Sequence, residues 1–126
     1  MVAVAAIAIY FAAAIFLKYS YVPVPELPEN QVRLKGPFTK FGSSGIAYVA
    51  AAPFGELADT PSDPRRSPVT LYENGLPLGP PHSLHGDIAT IGHGRFSHWT
   101  GLGVVFSVSD NGDPNYNGRR YSVSAR

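Results

Sequence analysis

Four histidines, His82, His85, His93 and His98, fall close together in the chain, in the spacing H-x2-H-x7-H-x4-H. Neutral imidazole is the common ligand of zinc, copper and nickel, so such a cluster is first read for a metal. The spacing fits no standard structural zinc pattern. His98, beside Trp99 in a strand-like run, reads equally well as a packed residue with one ring N–H satisfied. Ordinary structural histidines are therefore expected. A second set, Asp113, Asn115 and Asn117 before Gly118, opens like a calcium loop, D-x-N-x-N-G, whose alternate oxygens converge on one cation. The twelfth position of that register is Ser124, so the closing glutamate is missing. Asp and Asn also form turns through side-chain bonds to their own backbone, and a turn is the expectation here.

Nucleophilic chemistry finds less support. There is no G-x-S-x-G elbow, and Ser83 between His82 and His85 makes no triad without the spatial geometry that defines one. Asp87, Asp110 and Asp113 offer no preferred pair of carboxylates for glycoside hydrolysis. The chain has no cysteine, which excludes thiolate zinc sites, disulfides and a cysteine nucleophile. The Gly42–Gly45 turn lacks the Gly-Lys-Ser/Thr ending of a phosphate-binding loop. No catalytic residue, bound metal or cofactor is expected.

The elements that must position these side chains are short strands. Val69–Glu73 alternates, Asn74-Gly75 is the strongest short hairpin signal, and Leu76–Leu78 begins the return. Gly45–Ala52 reads as a buried strand, and Arg95–Thr100 and Leu102–Ser109 as two more joined around Gly101. Arg120–Ser124 closes the series after the turn at Asp110–Gly118. His85–Ile91 fits a helical turn or a short strand. Pro53–Pro68 is a long irregular loop, a kind of segment that often forms a binding surface. Six or so short strands without a long amphipathic helix imply a mainly β domain over 45–126, a small antiparallel sandwich or open barrel. Phe96, Trp99, Phe106 and Tyr121 are its expected core. Arg95, Arg119 and Arg120 are the cations expected to tie its turns to Asp87, Asp110 or Asp113.

The N-terminus is different in kind. MVAVAAIAIYFAAAIFL, Met1 to Leu17, carries no charge. At 1.5 Å per residue it spans roughly 26 Å, slightly short of the ~30 Å hydrocarbon core. Lys18 can snorkel to the headgroups, and Tyr19 and Tyr21 suit the interfacial belt. A single transmembrane helix over 1–21 is expected, retained because no basic n-region marks a signal peptide. Ala5, Ala8 and Ala12 form a small-residue face for packing against another helix. Residues 22–44, punctuated by Pro23, Pro25, Pro28 and Pro37, read as a connector, with Gln31–Lys35 alternating enough for a short strand. Its first part is a semi-rigid polyproline-like riser. Lys18, Arg33, Lys35 and Lys40 follow the span and tilt the C-terminal domain toward the cytoplasm of a bacterial inner membrane.

The net charge of +1 and a charged fraction of 15% argue against nucleic acid, which needs a clustered basic surface. Between Leu71 and Tyr121 stand three segments, ENGLPLGPPHSLH, GHGRFSHW and SDNGDPNYNGRRY. Together they resemble an uncharacterised bacterial module that sometimes accompanies glycosyltransferase- or methyltransferase-like domains of polysaccharide pathways. The resemblance implies no established activity.

The expected function is that of a non-catalytic, single-pass accessory subunit of a larger bacterial membrane complex, with photosynthetic or respiratory assemblies the natural hosts by analogy. Its partners would be the membrane and other transmembrane subunits. The alternative is a membrane-tethered carbohydrate-binding module, with Trp99, Tyr116 and Tyr121 as stacking faces and the Asp110–Gly118 turn binding glycan hydroxyls. A metal-dependent activity at the histidines is a third reading.

Overall fold

The structure is a computed structural model that describes residues 27–125. The expected membrane helix, with Ala5, Ala8, Ala12, Lys18, Tyr19 and Tyr21, lies outside the described residues. Among the described residues no helix is long and apolar enough to cross a membrane.

The chain is mainly β. Its strands are β1 (Val32–Arg33), β2 (Thr39–Lys40), β3 (Tyr48–Ala50), β4 (Val69–Glu73), β5 (Leu76–Pro77), β6 (Phe96–Trp99), β7 (Gly103–Phe106) and β8 (Tyr121–Ala125). They form two antiparallel four-stranded sheets, ordered β1-β8-β4-β5 and β2-β3-β7-β6. A 3-10 turn, Gly55–Leu57, and one short helix, α1 (His85–Thr90), complete the regular elements among the described residues.

The period-2 rule explains the core. In the first sheet Val69 and Leu71 pair across β4 and β8 with Ala125 and Val123, and Glu73 with Tyr121. These residues share one face, while Thr70, Tyr72, Ser122 and Ser124 share the other. In the second sheet Phe96, Val104, Phe106 and Ala50 face the first. The two apolar faces meet in a single cluster completed by Leu34 and Val108. Phe38 closes one end, with its ring edge-on to Phe106 and Tyr121 at centroid distances of 5.4 and 5.8 Å. Asn74 and Gly75 both adopt positive φ, 49° and 83°, the type I′ geometry whose twist suits a two-residue hairpin.

The outer face of the second sheet is covered by α1. Ile88, fully buried, packs on Ala47 and Val105, with Phe41, Val49 and Ala89 around them. This small second core fixes where α1 begins, and therefore where His85 stands. Gly45 allows the approach: a Cβ there would lie 2.7 Å from the Ala89 carbonyl oxygen.

The short strand expected within Gln31–Lys35 is β1, paired with β8. Further along, β2 pairs with β3, and Leu34 is buried in the core. One expectation needs correcting. Trp99 is not in the core. Strand parity puts Phe96 and His98 inward and Ser97 and Trp99 outward, leaving Trp99 half-buried.

Candidate functional site: a histidine-lined cleft beside an edge strand

Strand β6 ends the second sheet, and its free edge is met by the 53–68 loop. Asp59 lies parallel to Trp99 there: its N–H donates to the His98 carbonyl at 2.7 Å, and its carbonyl accepts from Thr100 N–H at 3.0 Å. This pairing satisfies the edge and carries the Asp59 carboxylate into the protein, where only 1% of the residue is exposed. A buried carboxylate must be compensated. Oδ1 accepts from Ser67 N–H at 2.8 Å, and Oδ2 lies 2.7 Å from His82 Nδ1. An ionised carboxylate only accepts, so Nδ1 carries the proton of this bond. The Nε2 of His82 then has no hydrogen-bond partner among the described residues.

His82 is brought in by the turn that precedes α1, and its backbone sits at φ 56°. Left-handed φ in a non-glycine residue costs free energy that its surroundings must offset, and the Asp59 bond is the visible compensation. Three residues later His85 opens α1. Its Nε2 lies 3.0 Å from Ser97 Oγ, and its ring stands edge-on between Phe41 (5.2 Å) and Trp99 (5.6 Å). Burial among these rings lowers its pKa below the ordinary histidine value, so the ring is neutral at pH 7.

Asp59, His82, His85, Ser97 and Trp99, with Pro64 and Leu84 as apolar rims, enclose a cleft of about 290 Å³. The arrangement combines one half-buried indole, one carboxylate-oriented imidazole and a serine hydroxyl. It contains the parts of a hydrolytic triad but not the connections. Ser97 is bonded to His85, which has no carboxylate partner among the described residues. His82 has the carboxylate, while Ser83 Oγ donates instead to the Pro80 carbonyl at 2.7 Å. Among the described residues no serine–histidine–aspartate relay runs through the cleft.

Behind β6, on its inner side, His98 is 2% exposed, and its Nδ1 lies 2.8 Å from Ser67 Oγ. That hydroxyl also accepts from Val69 N–H at 3.2 Å. Burial lowers the His98 pKa despite the opposing charges of Asp59 and Glu56. Ser67 thus joins Asp59 to His98, and the residues lining the cleft are braced from the core.

The four histidines are consequently divided. His82 and His85 share the cleft, His98 is buried behind it, and His93 lies elsewhere, its N–H held by Asn111 Oδ1 at 2.6 Å. Among the described residues no three His, Asp, Glu or Cys side chains converge as a metal site would require. The Asp113–Asn117 oxygens are occupied by the chain itself. Asp113 Oδ1 accepts from Asn115 N–H, Asn115 Oδ1 from Phe38 N–H and Asn117 Oδ1 from Arg119 N–H, at 2.9, 2.7 and 2.9 Å. They cap a turn rather than converge on one point. Of the three expected stacking residues, Trp99 lines the cleft, Tyr116 is 89% exposed on a different surface, and Tyr121 is in the core. Asp59 was not anticipated. Its only sequence signal was a place in the irregular 53–68 loop, next to an alanine and with no motif around it.

No protein-family model, curated protein or solved structure matches the chain.

Proposed function

We propose that the chain is a non-catalytic recognition module, tethered to a membrane by its N-terminal run, that binds a glycan in the Trp99 cleft. The observation that supports this reading is the pairing of a half-buried indole with an imidazole fixed by a buried carboxylate, in a cleft of about 290 Å³. Sugar rings present apolar C–H faces that pack on indole, and equatorial hydroxyls that bond to a fixed acceptor such as His82 Nε2. A rigid strand and a braced loop hold these groups, which lowers the entropy lost on binding. The test is a glycan array followed by calorimetry, using the full chain in a detergent without sugar. Trp99→Ala is expected to weaken binding at least tenfold while leaving the thermal transition within a few degrees. Absence of binding to any bacterial envelope glycan, or equal binding by folded Trp99→Ala protein, would overturn the reading.

The accessory-subunit reading is the second proposal, and the charge-free run Met1–Leu17 with its Ala5, Ala8 and Ala12 face favours it. Purification from native membranes in mild detergent tests it. Co-migration with a defined set of transmembrane subunits is expected, and a protein that runs alone removes it.

A further inference from the structure

A second and larger cleft, about 610 Å³, opens between the β1–β2 connection and the turn that leads into β8. It shares no lining residue with the Trp99 cleft. Its charged lining consists of Arg33, Arg119 and Arg120, with no acidic residue among the lining side chains.

The three arginines differ in their commitments. Arg119 is engaged by Asp110, with Nη2 to Oδ2 at 2.7 Å, and more loosely by Glu73 at 3.6 Å. Neither of the other two guanidinium groups has an acidic or hydrogen-bonding partner among the described residues. Their backbones, however, are fixed. Arg33 pairs opposite Ser122 in the β1–β8 ladder. Arg120 donates its N–H to Asn74 Oδ1 at 2.8 Å, and its carbonyl accepts from Asn74 N–H at 2.8 Å. Arg120 directly precedes β8, the strand that pairs with β1, and both arginines line the one cleft. Two long cationic side chains on the wall of one cleft can bracket one anionic group.

Two further features bear on what that group is attached to. Tyr116 lines the same cleft and is 89% exposed, the most exposed aromatic ring in the described residues and one that folding leaves unburied. Arginine, unlike lysine, presents a planar fork that matches a carboxylate through two parallel N–H···O bonds. A concave cleft with an aromatic wall suits a ring-bearing ligand, whereas a lipid surface is met by flat, lysine-rich patches.

We propose that this cleft binds the carboxylate of an acidic saccharide, with Arg33 and Arg120 gripping the carboxylate and Tyr116 packing on the sugar ring. The proposal extends the recognition reading to a second subsite for a uronic-acid-containing chain, and rests on that reading only for the saccharide backbone.

Trigalacturonate, its methyl ester and inorganic phosphate are titrated calorimetrically into the full chain in polyoxyethylene detergent, which carries neither sugar nor phosphate. Trigalacturonate is expected to bind with an affinity that falls as salt rises, and the methyl ester at least tenfold more weakly. The Arg33→Gln/Arg120→Gln double variant is expected to lose at least tenfold for trigalacturonate, and Tyr116→Ala severalfold. Trp99→Ala, in the other cleft, is expected to keep this binding, so that failure of either site is seen apart from the other. Equal binding of the ester, unchanged binding by the folded double variant, or phosphate binding as tightly as trigalacturonate would overturn the proposal. All three variants alter exposed or half-buried side chains, and their thermal transitions serve as the folding control.

Discussion

Asp59 holds together more of this molecule than any residue that the sequence singled out. It joins the 53–68 loop to β6 through its backbone, and His82 and Ser67 through its carboxylate. Asp59→Asn keeps the shape and the acceptor for Ser67 N–H but removes the charge that orients His82. Losing one charge-assisted bond to a buried group costs about 1–3 kcal/mol, and urea unfolding should find a loss of that size. His98 and His85 allow a prediction of sign. Both have folded pKa values lowered by burial, so the unfolded chain takes up a proton at each before the folded chain does. Their contribution is complete above the unfolded value, near 6.5, and is lost as pH falls from there toward the folded values. The urea midpoint should therefore decline below about pH 6.5, at no more than about 1.4 kcal/mol per pH unit for each histidine. His98→Asn, whose amide can replace Nδ1 toward Ser67, should flatten that decline, and an unchanged slope would show that other groups control it.

At the scale of elements, two glycines separate strain from collision. Gly75 occupies the left-handed turn position of the β4–β5 hairpin at φ 83°, and no atom would touch a Cβ there. Gly75→Ala should cost only the conformational penalty, about 1 kcal/mol. Gly103, at φ 102° in β7, is different: a Cβ would run into the Ala50 carbonyl of the neighbouring strand. Gly103→Ala should therefore cost more, about 2–4 kcal/mol, because ladder bonds between β3 and β7 must also shift. Thermal denaturation of the two variants side by side checks the order. The hairpin itself was legible, since Asn74-Gly75 between alternating residues allows little else. The helix α1 was not. Its six residues form because Ile88 has a pocket over Ala47 and Val105, and a helix that short has no stability of its own.

For the whole molecule, stability depends on one shared core between the sheets and a small satellite beneath α1. Phe106 joins most of the main core: it is fully buried, lies opposite Tyr48 and Phe96 in its own sheet, and meets Phe38 and Tyr121 ring to ring. Phe106→Ala should remove about 3–5 kcal/mol, a large share of what a domain of this size has, and leave the chain largely unfolded at 37 °C. A cooperative transition close to wild type by circular dichroism would contradict this account of the core. Both clefts lie on the surface of that unit, one at the β6 edge and one beside β1 and the entry to β8. A change that loosens the core should weaken ligand binding at both together, whereas variants of the clefts should affect them singly.

The sequence alone made the local features legible: seven of the eight described strands (all but β2), the Asn74-Gly75 turn, the Asx turns of Asp110–Gly118, and a mainly β class, because short-range dihedral preferences and period-2 alternation act between neighbours. It also singled out the four histidines. Which of them meet was beyond it. Strand parity sends His98 inward and Trp99 outward, the satellite core sets His85 over Ser97, and a loop more than twenty residues away in sequence supplies the carboxylate for His82. Likewise Arg33 and Arg120 come to line one cleft only because β1 pairs with β8. Residues far apart in sequence come together through burial and strand register, which belong to the assembled sheets and to no single segment, and so the sites were decided by the tertiary structure alone.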